Sequence, residues 1–523
     1  VIAEDSSSQD WIVTVTIAQP IRYVATDGDN ANDGSEEHPW LTIQYALDNI
    51  PTLGTILVKD GVYSESITFP SDKKIILQSI NGDSSTTIIG DNNLSTVTGS
   101  NSLEGTTLEG FTISHNPTDN GRGIEISGGY LNIDNCTISH NSADYDGGGI
   151  FSDSGTLDII SSTISANSAN DCGGGIYNYG GSLTITSSST ISGNTANYGG
   201  GIFSDSGTLD IISSTISANS ANYAGGGIYN YYNTLVITSS DISDNTTNYD
   251  GGGIYNYHSS SLIITGSDIS NNSASAYGGG IYNYGLLTIN LSSSISYNSA
   301  AKDGGGIYNN GTLTITSSNV SSNSSAFHGG GIYNGSDGTL IITSSDISGN
   351  TAIRGGGGIH NVSTSTLNIT SSTISSNTTD DDGGGIHSGI HNGRNGTLNI
   401  TLSTISGNTA NNNGGGIFNR YGTLNITSST ISGNATNGFG GGISNFVSLT
   451  IISSSTISGN SSAARGGGIY NDYGVLTITT STISHNSATD YGGGIYLSLG
   501  GSGTITIGGS GEEKNTICGN YKT

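Results

Sequence analysis

The chain has no Met, five Pro, three Cys and only 12 Lys and Arg among its 523 residues. Each shortage excludes a class of protein. Scarce Pro beside recurrent Ile and Leu argues against disorder, and it excludes collagen, which needs Pro and a Gly at every third position. Cys136, Cys172 and Cys518 are odd in number and lack metal-ligand spacing, so they form neither a disulfide framework nor a zinc site. They read as small residues in Ser-like slots: Thr-Ile-Cys-Gly-Asn at 516–520 repeats Thr-Ile-Ser-Gly-Asn at 404–408. The redox compartment stays undecided.

Forty acidic side chains outweigh the few cations and give a net charge of −28. That field repels nucleic acid and anionic membrane surfaces, which removes nucleic acid from the expected partners. No stretch approaches 18 apolar residues, so no membrane span is expected, and the first residues do not read as a signal peptide. Without Met, Val1 is either a product of processing or the start of an excerpt from a longer chain.

What is abundant is Gly, at 83 residues, and it is periodic. Gly-Gly-Gly-Ile occurs fourteen times, with its Ile at 150, 176, 202 and onward to 495. Intervals are 25 to 27 residues, except for 31 between Ile386 and Ile417. One unit reads Gly-Gly-Gly-Ile-Tyr-Asn, a turn, Leu-Thr-Ile-Thr, a Ser-rich corner, Thr-Ile-Ser-x-Asn and a variable loop. Three short segments per unit alternate apolar with Thr, Ser or Asn, the period of a strand with one buried face.

The expected fold is therefore all-β: a single-stranded right-handed parallel β-helix of about 26 residues and three short strands per coil, with a short capping helix near the N-terminus. Gly, Ser and Thr are too dense for a helical repeat. Stacking puts equivalent residues about 4.8 Å apart, so each repeated residue becomes a ladder. Asn, which closes the third strand at 116, 141, 167 and through to 486, is the clearest. One coil cannot offset its own ordering entropy, so stability belongs to the stack.

Four regions are expected. Residues 1–20 hold a β-prone segment, Trp11, Ile12, Val13, Val15 and Ile17, which is a candidate inter-subunit strand. Residues 21–128 contain the cap, with Leu41, Ile43, Ala46, Leu47 and Ile50 at helical spacing, and irregular first coils. Residues 129–507 are regular coils, and 508–523 form a poorly capped end.

Tyr23-Val24-Ala25 through Asp33-Gly34, Pro39-Trp40, Thr42-Ile43-Gln44 and Val58-Lys59-Asp60-Gly61-Val62-Tyr63 resemble the start of right-handed β-helix proteins of the pectin-lyase-like fold. The Gly-Gly-Gly-Ile-Tyr-Asn and Ile-Ser-x-Asn units are similar to repeats of polymorphic outer-membrane and related bacterial surface proteins. The resemblance implies the fold over roughly 500 residues and leaves function open, because such folds carry lyases, hydrolases, adhesins and stalks. Of the enzymes' motifs, neither Gly-His-Gly nor Arg-Ile-Lys occurs.

Candidate sites each have a plainer alternative. Asp27, Asp29 and Asp33 offer oxygen ligands for calcium, or an Asx-rich turn that needs no ion. Otherwise no cofactor is required. Tyr177, Tyr229, Tyr255, Tyr282, Tyr308 and Tyr333 follow the repeated Ile and form either an outward aromatic strip suited to sugar rings or a self-stacking ladder. The loop's last position makes a variable column, Asp250, Tyr277, Asp303, His328, Arg354 and Asp382. Beside it lie His360 and His387 in the Tyr slot, and the 31-residue interval adds His391 and Arg394. This is the alternative polar site.

Residues 147–170 and 199–222 are identical, two repeats apart, and are preceded by different residues, Asp146 and Tyr198. Copied coils change length without harming a spacer, whereas an enzyme needs one unrepeated constellation. The expectation is a non-enzymatic extracellular or cell-surface protein whose partner is itself, end to end in a filament or layer. The alternatives are an adhesin stalk that binds polysaccharide or a host surface, and a polysaccharide lyase or hydrolase.

Overall fold

The computed structural model describes residues 19–91, 93–101, 104–116, 120–362, 366–388, 396–498, 504–508 and 514–523. They form a right-handed parallel β-solenoid of about 16 turns at roughly 26 residues per coil. One coil shows the design: Ile254–Asn256, Ser261–Thr265, Asp268–Ser270 and Ser273–Ala274. Each strand pairs in parallel with its counterpart in the next coil, Ile254 opposite Ile281, Leu262 opposite Leu287, Ile269 opposite Ile295 and Ser273 opposite Ser299. The fourth strand was not foreseen. With two residues and one inward side chain, Ala274, it is too short to show a period of two.

Ile254, Leu262, Ile264 and Ile269 are fully buried, and their equivalents stack into one continuous apolar column from Val24 to Ile483. Irregular early coils join the same stack, since Val97–Ser100 pairs with both Ile67–Phe69 and Ile124–Ser127.

Three polar ladders run inside the corners. In the first, Asn272 donates from Nδ2 to Asn298 Oδ1 (3.0 Å) and to the Ile242 carbonyl (2.8 Å). Its own Oδ1 accepts from the backbone N–H and the amide of Asn245, both at 3.0 Å. A second amide ladder follows the first strand, where Asn256 donates to Asn283 and Asn283 to Asn309, each at 2.7 Å. The third is hydroxyl: the Ser240 N–H donates to Ser267 Oγ at 3.1 Å, while Ser240 Oγ donates to the Thr238 carbonyl at 2.8 Å. These contacts satisfy backbone groups at bends where strand pairing lapses.

Cys136 occupies the hydroxyl ladder. Its N–H donates to Ser162 Oγ, and Sγ lies 3.4 Å from the Leu108 carbonyl. Burial pushes its thiol up to about 12. Cys518 faces Ser484 across a strand pair, so the Ser-like reading holds at both positions.

The cap is the helix Ile43–Asn49, which buries Ile43, Ala46 and Leu47. Thr42 Oγ1 accepts from the Tyr45 N–H, and the Glu65 carboxylate accepts from the N–H groups of Ile43 and Gln44 at 2.9 and 3.0 Å. A negative charge there satisfies orphan donors of the first turn.

Candidate functional site

The residue after each repeated Ile forms a stacked column on the outer side of the first-strand sheet. Tyr255 and Tyr282 lie 4.8 Å apart between ring centroids with planes 5° apart, and Tyr308 and Tyr333 are 4.9 Å apart. Phe151, Tyr177, Phe203 and Tyr229 continue the stack in one direction. In the other, Tyr333 stacks on His360 at 5.4 Å and His360 on His387 at 4.4 Å. The rings are buried or half-buried; Tyr282 is 6% exposed and Tyr229 7%. Burial drives the hydroxyls of Tyr229, Tyr255, Tyr282, Tyr308 and Tyr333 well above the usual phenol range. The geometry is that of a self-stacking ladder.

What covers the ladder is the variable column that precedes each glycine run. Its carbonyls accept from the first glycine of the preceding run, as Tyr277 does from Gly251 and Asp303 from Gly278. Where the column residue carries a ring, it leans over the ladder ring of the following coil. Tyr198 packs on Tyr229 (5.7 Å), Tyr277 on Tyr308 (5.0 Å), His328 on His360 (4.5 Å) and Phe439 on Tyr470 (4.6 Å).

One coil lacks this cover. The bridge from His328 runs to Gly355, so Gly355 holds the column position and Arg354 stands one residue before it. This corrects the sequence alignment of Arg354 with the column. The cause is a fourth glycine, Gly355 to Gly358, which shifts the loop by one residue. Gly355 sits at φ +142°, a conformation closed to L side chains, and a Cβ there would lie 3.5 Å from His387 Cδ2 and 3.7 Å from His360 Nδ1.

The gap opens a pocket of about 200 Å³ lined by His328, Tyr333, Arg354, His360, Val362, Asp381, Asp382, His387, Arg420 and Tyr421. Asp382 Oδ1 accepts from the backbone and side-chain amides of Asn413, both at 2.9 Å. Burial, then the neighbouring Asp381, raises its carboxyl above the ordinary value, against the pull of the Asn413 bonds and Arg420. His328 Nδ1 lies 2.8 Å from Asp303 Oδ1. Arg354 rests over Phe327 at 4.4 Å and Arg420 over Tyr421 at 5.1 Å.

The structure thus brings His360, Asp382 and His387 together. His391 and Arg394 lie outside the described residues, as do Trp11, Ile12, Val13, Val15 and Ile17. Arg420, Tyr421 and His328 complete the pocket without having been singled out together. The signal available for it was the four-glycine run.

Asp27, Asp29 and Asp33 are not gathered around one point. Among the described residues only Asp146, Asp171 and Cys172 bring three potential ligand atoms within 4.8 Å of one another. Asp29 accepts from the Ala31 N–H at 2.9 Å and Asp33 from the Ser35 N–H at 3.0 Å, both Asx turns satisfied internally. These bonds are those of the Asx-rich turn, the plainer of the two readings. At the Asp146 trio, burial and the two carboxylates raise the Cys172 thiol far above its usual range, so it stays protonated.

Burial also raises the carboxyls of Glu109, Asp146, Asp241, Asp250, Asp346 and Asp382. An acid whose folded pKa exceeds its unfolded one binds protons more readily when folded, so stability rises as pH falls through the raised folded values towards the ordinary 3.8 of Asp. The melting temperature is expected to be higher at pH 5 than at pH 8, by scanning calorimetry at constant ionic strength. A lower value at pH 5 would contradict the assignment.

Four stretches, residues 135–153, 292–310, 454–472 and 480–498, match the Chlamydia polymorphic membrane protein (Chlamydia_PMP) repeat. These four stretches resemble Pmp repeats. Each match runs from the third strand of one coil through the Gly-run into the first strand of the next, the segment that holds the Asn ladder, the variable column and the aromatic slot. No curated protein matches the chain. Among solved structures it is similar to pectate lyase Pel9A at 13% identity, covering 62% of this chain and 79% of that one, with a TM-score of 0.36. A pectin methylesterase from carrot follows at 12%, 64% and 84%, with a TM-score of 0.25. XylC in complex with xylose gives 12%, 63% and 69%, with 0.24. These values support no statement about chemistry in this Pmp-like chain. Among the described residues no helix is long and apolar enough to cross a membrane.

Proposed function

We propose that the chain is a surface-displayed β-solenoid rod, a non-catalytic spacer whose coil number sets its reach. The observation that carries this is the pair of identical coils: residues 147–170 and 199–222 seat in the same register and use the same Asn and Ser ladders. A unit copied whole between neighbours of different sequence adds length and little else. The Pmp-type repeats support placement at an outer membrane or cell surface. Immunolabelling of intact source cells with antibody to the purified rod should decorate the outside; label that appears only after permeabilisation sinks the reading.

Deleting residues 147–198 removes two coils and joins Asp146 to Gly199 in register. The rod is expected to shorten by roughly 10 Å, two interstrand spacings, with a melting temperature within a few degrees of the parent. Small-angle scattering and calorimetry read both quantities. Collapse of the fold would show that coil number is not a free variable.

The finer reading is end-to-end self-association, supported by coil faces that are complementary to one another throughout the stack. Electron microscopy with and without residues 1–20 tests it. Fibres that need the segment support strand-mediated assembly, and isolated rods in both samples refute it.

A further inference from the structure

We propose that the pocket at Gly355 binds a compact hydroxylated oxyanion, the size of a single sugar acid or sugar phosphate. The proposal stands apart from the rod reading, because a spacer requires no such site.

Departures from the repeat coincide here. Gly355 is the only glycine in the column that precedes the fourteen glycine runs, and His360 and His387 replace the usual Tyr or Phe in two adjacent coils. Neutral drift in a spacer would scatter such exceptions along the rod. Instead Gly355, His360 and His387 meet at one cavity, and the other departure in the aromatic slot, Ser444, lies two coils further on.

The chemistry of the walls selects the ligand. In a chain of net charge −28, two of twelve Lys and Arg face this cavity. The direct ion pairs among the described residues are Arg122 with Glu125 and His328 with Asp303, so neither Arg354 nor Arg420 forms one there, although Arg420 is near enough to Asp382 to act on its carboxyl. Each lies instead over an aromatic ring at the exposed mouth, its N–H groups available to a carboxylate or phosphate in the geometry that arginine recognises best. Asp381 and Asp382 also line the cavity and present acceptors suited to hydroxyls; Asn413 occupies only Oδ1 of Asp382, and Asn412 only Oδ1 of Asp381. The imidazole rings of His360 and His387, the edge of Tyr333, whose two faces are stacked on Tyr308 and His360, and Tyr421 complete the lining. The pocket volume of about 200 Å³ equals that of about seven liquid waters, enough for one six-membered ring and too little for a chain. A bare metal ion is disfavoured, since the histidines and Asp382 do not bring three ligand atoms within 4.8 Å.

Isothermal titration calorimetry of the full chain with glucuronate, glucose 6-phosphate, glucose and inorganic phosphate tests this. At least one anionic sugar is expected to bind, with glucose at least about tenfold weaker; the two anionic arms separate carboxylate from phosphate recognition. Inorganic phosphate binding as tightly as either sugar would overturn the sugar part, and glucose binding as tightly would overturn the oxyanion part. Arg354→Gln with Arg420→Gln should weaken binding by about tenfold or more, both sites being exposed and outside the core. His387→Tyr restores the usual ladder residue and fills the floor, so binding should vanish while the melting temperature holds or rises. Unaltered binding in either variant, or no binding by any anionic sugar at millimolar concentration, refutes the site.

Discussion

Asn272→Leu is expected to destabilise the rod by at least about 3 kcal/mol, although Leu has the same branched heavy-atom skeleton as Asn and is more apolar. The substitution leaves the Asn245 N–H, one hydrogen of the Asn245 amide and the Ile242 carbonyl without their partner in a corner that excludes water. Each orphaned buried group costs about 1–3 kcal/mol. Hydrophobic gain does not compensate, because the site is already dry and Asn272 is fully buried. The comparison is Asn222→Ala. Asn222 also belongs to an amide row, donating to Asn197 at 2.8 Å, but that row is exposed and water replaces what is lost. Because a solenoid need not unfold in one step, hydrogen exchange is the sharper readout. Peptides covering residues 245–298 should lose protection in Asn272→Leu and keep it in Asn222→Ala. Equal protection in the two variants would mean that the buried ladder contributes nothing beyond what strand pairing supplies.

The coil architecture was legible because its signal is repeated at every level. Leu313 and Ile315 alternate with Thr312, Thr314 and Thr316 in a strand that recurs, so period and register reinforce each other over many copies. The Asn ladder was legible for the same reason. The Ser ladder was hidden: Ser240 and Ser267 lie among other serines of similar spacing, and only the fold separates the inward hydroxyls from the exposed ones. The pocket was half legible. His360 and His387 stood out as exceptions to the Tyr slot, and Asp382 as part of an acidic run. Placing Arg354 beside them rather than above them required seeing that Gly355 takes the column position: the residue before the glycine run is Arg354, but the residue four before Ile359, the spacing of the column elsewhere, is Gly355. Arg420 and Tyr421 follow the first strand of a later coil, and only stacking brings that turn to the mouth. Exceptions within a repeat are thus informative about function, but their geometry depends on which neighbour each exception uncovers.

Gly252→Ala is expected to break the stack at one coil, with a larger effect than its single methyl suggests. In the glycine run the backbones of successive coils approach so closely that a Cβ at Gly252 would lie 2.3 Å from the Gly279 carbonyl oxygen and 2.6 Å from that of Ser273. Both are backbone atoms held in the ladder, where Gly252 donates to the Gly278 carbonyl and Gly279 donates to that of Gly304, so neither can rotate aside. Relief requires the two coils to separate, which would also loosen the Ile254 to Ile281 pairing and the apolar column behind it. The cost is put at about 3–5 kcal/mol, the range in which overpacking against rigid atoms is severe. Gly266→Asn in the same coil is the control. Its Cβ would meet nothing closer than 3.6 Å, and Asn tolerates the left-handed φ of +54° found there. Urea titration followed by circular dichroism should show an early transition in Gly252→Ala alone, and limited proteolysis should cut that variant near residues 248–254. A Gly252→Ala rod as resistant as the parent would show that coil spacing at the glycine runs is adjustable, and the recurrence of three glycines in every coil would then need a different cause.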